Sequence, residues 1–319
     1  MHSPIFSLAE TTADQRNSVA PVSPTRHLSE AGKRRLLAKA GEPLFLATWD
    51  RAVFIHYETE PSLLQREIPF QLDLYNGRAF VSIVAFTLLK MRPRVGGRLG
   101  EWLFKPIASH GFLNVRAYVQ HEGEPGIFFL AEWLSNRLSV RLGPHTFGLP
   151  YRFGHIDYEH ADQGNEVRGT VTAKEGRLGY HATIPAASLG PCATGSRDEF
   201  LLERYTAFTL QGCRQRLFRV WHEAWQQTPI EIEVIADALI ASTGVWWESA
   251  RFVGANYSPG VEVWMGRPHR FALPSTSVCN ALQPTARPDL TGLGGPGSPT
   301  PARCKSSARK DQHPSALCL

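Results

Sequence analysis

Hydrophobic and polar residues alternate most regularly over residues 114–120, near the middle of the chain. This period of two predicts a β-strand with one apolar and one polar face. The two faces carry Val115, Ala117 and Val119 on one side and Asn114, Arg116 and Tyr118 on the other. The next run, residues 127–133, is apolar until Glu132, and the segment between the runs contains the glycine and proline typical of a tight turn. The pattern therefore predicts a β-hairpin.

If these two strands pair, Arg116 and Glu132 would lie on the same face of the hairpin. Two charged residues facing inward would mark a polar cavity. The same residues facing outward would form an ordinary surface ion pair, which contributes little to stability. Because structural ion pairs are common, the residues alone favour the second interpretation.

Similar patterns predict the other elements of the chain. Strands are expected at residues 53–57, 78–86, 151–159, 166–173, 177–184, 208–210, 217–225 and 261–265. Helices are expected at residues 29–40, 61–68, after the hairpin, from the capping residue Ser196 to Arg204, and at 230–241. Residues 90–100 are predicted as a basic loop, either a solvated connection or a flap over a pocket. Since strands outnumber helices without βαβ alternation, the predicted fold is α+β and mainly antiparallel, a curved sheet or barrel with a few flanking helices.

Composition divides the chain into three parts. Residues 1–43 are predicted as a disordered segment that ends in a short basic helix, and residues 44–271 as one globular domain. Residues 272–319 contain no aromatic residue and are rich in proline, glycine, serine and threonine. Such a segment cannot bury enough apolar surface to offset its chain entropy, so a disordered tail is expected.

Charge and cysteine usage narrow the function classes. The net charge is +5, but the arginines are scattered and form no basic stripe, so no nucleic-acid partner is expected. No apolar run reaches the length of a membrane helix and no signal peptide is recognised, which predicts a soluble, cytoplasmic chain without a membrane partner. The five cysteines form no CxxC pair, so neither a metal site nor a cofactor is predicted. The sequence is compatible with a homo-oligomer as well as with a monomer.

No strong catalytic motif is present. The chain lacks a phosphate-binding glycine loop, HExxH and GxSxG. His56 and His222 lie in apolar surroundings and are expected to be hydrogen-bonded core histidines. Arg204 has two equal interpretations, an anchor for an anionic ligand or a cation that neutralises a carboxylate such as Glu132 or Glu203.

Five short motifs together resemble a known family. They are NVRAYV at 114–119, PGIFF at 125–129, FGLPY at 147–151, EFLLERY at 199–205 and YSPGV at 257–261. In order and spacing they resemble DUF2071, or YqjF-like, proteins, a family of uncharacterised bacterial proteins, over residues 44–271. That family is grouped with the acetoacetate decarboxylase-like fold, so the resemblance implies a curved antiparallel barrel or cone with a central cavity.

The same resemblance implies that the decarboxylase reaction does not transfer. In acetoacetate decarboxylase, a lysine in the turn that matches residues 149–152 forms a Schiff base, and a neighbouring lysine lowers its pKa. Here the matching positions hold Tyr151 and Arg152, and an arginine cannot form that imine. Phe112 stands where the fold often has a glutamate, and Gly143 to His145 replace a segment that tends to carry an arginine.

A cavity hypothesis follows from these residues. The predicted ligand-binding residues are Arg116, Tyr118, Arg152, Arg204 and Asn114, and the candidates for proton transfer are Glu132 and Tyr151. With no evident nucleophile, a protein that binds a small carboxylate is the first expectation. The alternatives are a lyase or hydratase of a keto acid without a Schiff-base lysine, and a structural or interaction protein.

Overall fold

The computed structural model describes residues 24–160, 164–186, 188–212 and 214–271. The strands are β1 (Phe45–Thr59), β2 (Gln71–Leu72), β3 (Ala79–Pro93), β4 (His110–His121), β5 (Glu124–Leu134), β6 (Tyr151–Phe153), β7 (His155–His160), β8 (Glu166–Ala173), β9 (Gly176–Thr183), β10 (Thr206–Gln211), β11 (Arg214–His222), β12 (Thr228–Ala236), β13 (Arg251–Met265) and β14 (His269–Arg270). The helices are α1 (Pro24–Leu37), α2 (Pro61–Glu67), α3 (Gly97–Phe104), α4 (Arg137–Phe147), α5 (Arg197–Leu202) and α6 (Ala238–Ala241), with 3₁₀ turns at Lys105–Ile107 and Val245–Ser249. The disorder expected for residues 1–23 and 272–319 lies outside the described residues, as do four of the five cysteines.

Seven strands form a closed ring, in the order β11, β10, β5, β4, β3, β1, β13 and back to β11. Six of the seven pairings are antiparallel, and β10 pairs with β5 in parallel. The predicted mainly antiparallel fold with few helices is confirmed. The ring is not a strict up-and-down barrel, because of the parallel pair and because β13 continues into a second group of strands.

The second group, β12, β9, β8 and β7, follows β13 and covers the outer side of the ring. Val53 and Val115 of the ring pack in one buried cluster with Val171 and Tyr180 of this second group. The outward positions of the ring strands are therefore as well buried as the inward ones. Long apolar runs such as β3 result from burial on both faces.

The interior of the ring holds a separate buried cluster to which all seven ring strands contribute. Its members include Phe54, Phe80, Phe112, Ile127, Ala207, Phe218 and Val263. On β4, Val115 and Val119 belong to the outer cluster, whereas Phe112 and Tyr118 belong to the inner one. The alternation predicted for β4 is confirmed, and its polar face points into the ring.

The predicted helix at residues 230–241 is wrong. Residues Thr228–Ala236 form β12, which pairs with β13 and β9, and only Ala238–Ala241 are helical. Glutamate alternates here with Ile232 and Val234, which is a strand period, and β-branched residues favour a pleated surface. Ile235, predicted to face inward, is 69 % exposed.

Two segments outside the predicted strands are also ordered against the ring. Helix α1 packs on β11, with Leu36 in a buried cluster with Tyr205 and Trp221. Within the predicted loop at residues 90–100, β3 extends to Pro93 and α3 begins at Gly97. Among the described residues, no helix is long and apolar enough to cross a membrane.

Candidate functional site

A group of polar side chains lies inside the ring, and we call it the interior polar group. It comprises His56, Ser82, Asn114, Arg116, Tyr118, Glu132 and Asn256, none more than 5 % exposed. Strand register brings them together, because Ser82 pairs with both His56 and Arg116, and Asn114 pairs with Glu132. These cross-strand neighbours share one face of the sheet. Arg116 and Glu132 therefore both face inward, which is the less favoured of the two arrangements considered from the sequence.

A hydrogen-bond chain orders one half of the interior polar group. The side-chain nitrogen of Asn256 donates to Gln227 Oε1 at 2.7 Å and to Asp198 Oδ2 at 3.1 Å, so its oxygen is left to accept from His56 Nε2 at 3.0 Å. His56 Nδ1 then accepts from the Ser82 hydroxyl at 2.7 Å. The network fixes His56 as a neutral imidazole with its proton on Nε2.

Electrostatics agree with a neutral His56. The pKa of His56 is lowered to about 3, mainly by burial and also by the nearby Arg116 charge, against the raising effect of the bond to Asn256. His56 is a hydrogen-bonded core histidine, as the sequence predicted. It orders the neighbouring hydroxyls and stays neutral at physiological pH.

Arg116 carries the most unusual charge of the site. It is 4 % exposed, donates from Nη2 to the Leu201 carbonyl at 3.0 Å, and lies over the rings of Phe54 and Tyr118 at 5.7 and 6.0 Å. Its Nε is buried without a hydrogen-bond partner. Among the described residues, no carboxylate oxygen lies within 4.0 Å of its guanidinium. A buried cation without a counter-ion is costly, and it attracts an anion.

Glu132 is the second buried charge-bearing residue of the group. It is 2 % exposed, and its Oε2 has no hydrogen-bond partner. Burial raises the pKa of this carboxyl well above its ordinary value, so the protonated form is favoured. In register it lies between Asn114 on β4 and Tyr151 on β6. Burial also raises the pKa of Tyr151, and the nearby Glu132 raises it further.

An apolar cavity of about 200 Å³ adjoins this end of the ring. Its walls come from β1, β3, β4, β5, β11, β13 and the helices α3 and α4: Phe45, Leu88, Met91, Phe104, Ile107, His110, Phe112, Leu134, Ser139, Leu142, Gly143, Thr146, Phe147, Leu149, Tyr151, Phe218 and Met265. The Ser139 hydroxyl is buried here without a partner, and the buried His110 ring lies beside the Ile107 backbone. Burial lowers the pKa of His110 to about 4, so a neutral donor–acceptor ring faces the cavity.

Local sequence explains how Tyr151 reaches the cavity wall. The Asn136 side chain caps α4 by accepting from Ser139 N at 3.0 Å, and Gly148 ends the helix with a left-handed φ of 74°. The chain then enters β6 beside Glu132. Gly143 contributes as well, because a Cβ at that position would occupy the space of the Tyr151 ring. The absence of a side chain at Gly143 thus makes room for this tyrosine.

Two of the predicted ligand-binding arginines are paired with carboxylates, although Arg204 also lies over the Tyr118 ring of the interior polar group at 5.2 Å. Arg152 lies over Trp133, a residue of the outer cluster, at 5.4 Å and faces Glu175 at 3.7 Å. Arg204 donates to Asp73 at 2.6 Å and to the Phe200 carbonyl at 2.7 Å. Both guanidinium charges therefore have a carboxylate partner within the protein. The partner of Arg204 is neither of the two glutamates considered from the sequence.

The structure adds residues that sequence reasoning missed. His110 continues the inward series that Phe112, Asn114 and Arg116 define, and extending the alternation by one step would have found it. Asn256 was missed because β13 begins ten residues before the predicted strand, at Arg251 rather than at residue 261. Ser139 gives no signal in the sequence, because only the packing of α4 buries it.

The described residues contain five lysines, and none of them is buried. Lys39, Lys90, Lys105 and Lys174 are exposed, and Lys33 is half-buried on α1 over the rings of Trp221 and Trp264. Since an imine-forming lysine needs a low-dielectric site or a neighbouring cation, these surface side chains are unsuited to that role.

Known proteins with this fold include an acetoacetate decarboxylase from Legionella pneumophila. It aligns with a TM-score of 0.52 and 14 % identity over 72 % of this chain and 87 % of that one. The enduracididine biosynthesis enzyme MppR, in complex with pyruvate, aligns with a TM-score of 0.50 and 13 % identity over 73 % and 92 % of the two chains. At such identities the likeness shows the fold alone.

The sequence comparisons identify the family. The uncharacterized protein YqjF of Bacillus subtilis is 28 % identical over 211 residues, which cover 62 % of this chain and 81 % of YqjF. A family model described as an uncharacterized conserved protein, DUF2071, matches residues 46–262, the part that forms the ring and the second group of strands. The chain therefore belongs to the DUF2071 family.

Proposed function

We propose that this protein binds a small organic acid inside the ring, with the carboxylate at Arg116 and the apolar end in the cavity. The observation that carries the proposal is the buried, unneutralised guanidinium of Arg116. A ligand carboxylate would supply the missing counter-charge and a charge-assisted hydrogen bond to Nε. The uncompensated charge then changes from a cost of folding into a source of ligand affinity.

The neighbouring residues fit the remainder of such a ligand. Inward-facing residues on β4 repeat about every 6.8 Å. Asn114 therefore lies between Arg116 and Phe112, and Phe112 forms part of the cavity wall. A protonated Glu132 can donate a hydrogen bond, and so would not repel an anion. The MppR likeness gives a precedent for this fold in complex with pyruvate. We therefore propose Arg116, Asn114, Glu132 and Tyr151 as the ligand contacts, with Tyr118 holding Arg116 in place.

The ligand site is tested by thermal unfolding with a panel of pyruvate, acetoacetate and straight-chain carboxylates of four to ten carbons. An acid present at a hundred times its dissociation constant should stabilise the native protein by about 2.7 kcal/mol. The same acid should not raise the unfolding temperature of Arg116→Met above the value measured for that variant without ligand. The charge is lost while much of the side-chain volume is kept.

Arg152→Met is the matched control, because this arginine already has Glu175 as partner outside the ring. It should keep the full shift. If no acid stabilises a well-folded native sample, or if Arg152→Met rather than Arg116→Met removes the shift, the proposed site is refuted.

A second candidate function, proton transfer on a bound keto acid, is favoured by the pair Glu132 and Tyr151. A carboxyl whose pKa is raised by burial can exchange a proton near neutral pH, as general acid–base catalysis requires. In deuterium oxide, such an enzyme would exchange the hydrogens next to the keto group, which proton NMR measures. We expect Glu132→Gln to lower this rate by 100-fold or more, since general acid–base groups contribute roughly 10²–10⁴-fold. Exchange no faster than in buffer alone would leave binding as the function.

Two broader assignments are part of the same proposal. We place the protein in the cytoplasm, where small carboxylates are available to it. We also propose that residues 44–271 form the ligand-binding domain. Light scattering would test whether the protein forms a homo-oligomer.

A further inference from the structure

Helix α3 and the turn before it expose a cluster of large apolar side chains. Val95, Leu99, Trp102 and Leu103 are 67, 67, 68 and 60 % exposed. Three of them, at positions i, i+3 and i+4, share one face of the helix. Apolar groups of this size are seldom left together in water unless they contact something else. We call these four residues the α3 apolar face.

The other side of α3 is fixed against the ring, so its apolar face is held outward. A Cβ at Gly100 would meet Pro93 at 3.0 Å, which shows how closely the helix packs on β3. The Phe104 ring lies 5.3 Å from that of Phe45 and lines the apolar cavity. Turning the helix to bury Trp102 would therefore remove Phe104 from the cavity wall.

Positive charge surrounds the α3 apolar face. Between residues 90 and 105 the chain has five basic residues and one acidic residue: Lys90, Arg92, Arg94, Arg98 and Lys105 against Glu101. The carboxylate lies 3.8 Å from Arg92, and the other four cations have no ion pair among the described residues. A surface groove of about 570 Å³ beside Trp102 is bordered by four basic residues and one acidic residue, Lys90, Arg92, Arg98, Lys105 and Glu101. Its size and charge suit a phosphate-containing headgroup.

We propose that the α3 apolar face docks on an anionic membrane surface. Leucine and tryptophan would enter the boundary between headgroups and acyl chains, and the surrounding lysines and arginines would contact lipid phosphates. Such binding needs no membrane-spanning helix. It goes beyond the proposed acid-binding function and does not depend on it.

Charge favours a membrane over a second copy of the chain as the occupant of this surface. A two-fold symmetric contact would place the basic residues around one α3 apolar face against the same residues around the other. Those like charges repel, whereas an anionic lipid surface attracts them. Because Phe104 and Ile107 line the cavity directly behind this surface, docking would also bring the cavity wall close to the lipid.

The test is flotation of the full chain with vesicles of phosphatidylcholine alone or with 30 % phosphatidylglycerol. Binding is expected only to the anionic vesicles and should weaken as the salt concentration rises from 0.1 to 0.5 M. Lipids brominated in the acyl chain should quench tryptophan fluorescence. All eight tryptophans lie in the described residues, and Trp102 alone is exposed, so Trp102→Phe should abolish the quenching.

Surface variants identify the face that binds. We expect Trp102→Gln to weaken binding to anionic vesicles by about tenfold or more. The double variant Arg98→Glu and Lys105→Glu should weaken it by a similar factor. Ile235→Gln and Arg177→Glu are the controls, because both residues are exposed on other strands, and they should bind as the native chain does.

Three results would overturn the proposal. The first is no flotation with either lipid mixture. The second is equal binding to neutral and anionic vesicles, since the basic residues would then have no part in it. The third is a concentration-dependent dimer in light scattering that Trp102→Gln removes, which would make a second copy the occupant.

Discussion

The free energy of unfolding is expected to fall steeply as the pH is lowered from 6.5 to 4.5. Burial lowers the pKa of His56 to about 3, and those of His110, His160 and His222 to about 4. The unfolded chain binds protons at these histidines below pH 6.5, whereas the folded chain does not. Stability that is fully present above pH 6.5 is therefore lost as the pH falls, by up to about 1.4 kcal/mol per pH unit for each histidine.

Two buried carboxyls act in the opposite direction. Burial raises the pKa of Glu203 to about 7 and that of Glu132 well above its usual range, so the folded chain holds these protons where the unfolded chain releases them. Near pH 5.5 the unfolded state binds roughly two more protons than the folded state, whereas at pH 6.5, where its histidines are half protonated, the difference is near zero. The slope is therefore at most about 2.7 kcal/mol per pH unit, and the loss over the two pH units is about 4 kcal/mol, close to the lower end of the stability range of natural domains.

Denaturant titrations from pH 8 to pH 4.5 measure this slope. His56→Gln should be less stable at pH 8 by about 1–3 kcal/mol, because the bonds to Ser82 and Asn256 are disturbed. Its deficit should shrink as the pH falls, since it lacks one of the protonation penalties. His155→Gln, at an exposed position, should keep the native slope. A stability that does not change between pH 8 and pH 5, together with an unchanged deficit of His56→Gln, would show that His56 gives no protonation penalty in the folded protein.

Replacing Glu132 by glutamine is expected to stabilise the protein, and increasingly so as the pH rises. Because the folded-state pKa of Glu132 lies above its unfolded value of about 4.5, the contribution of this residue to stability falls as the pH rises above 4.5. The loss from this residue is at most about 1.4 kcal/mol per pH unit and ends at the folded-state pKa. Glutamine has the same shape and no ionisation, so Glu132→Gln avoids this loss.

The difference in unfolding free energy between Glu132→Gln and the native chain should be small at pH 4.5 and grow towards pH 8. Glu231→Gln serves as the control, because it removes an exposed carboxyl from β12 and should give a difference that is independent of pH. A Glu132→Gln protein that becomes less stable than the native chain as the pH rises would mean that a counter-charge compensates Glu132. A residue retained at a cost to stability is typical of a functional site.

Much of the candidate site could be predicted from the sequence. The period-two pattern of β4 predicts which side chains share a face, because neighbouring residues of a strand point to opposite sides whatever surrounds them. It therefore placed Asn114, Arg116 and Tyr118 together, and the hairpin turn brought Glu132 to the same face. The family motifs predicted the antiparallel fold in the same way, since they follow the strands and turns along the chain.

The tertiary structure alone decided which charges are neutralised. Arg204 meets Asp73, 131 residues away, and Arg152 meets Glu175 in the turn between β8 and β9, so neither is left for a ligand. Arg116 has the same side chain but faces no carboxylate among the described residues. A sequence pattern reports the local direction of a side chain, whereas the pKa, the counter-ion and the cavity depend on distant segments that only folding brings near.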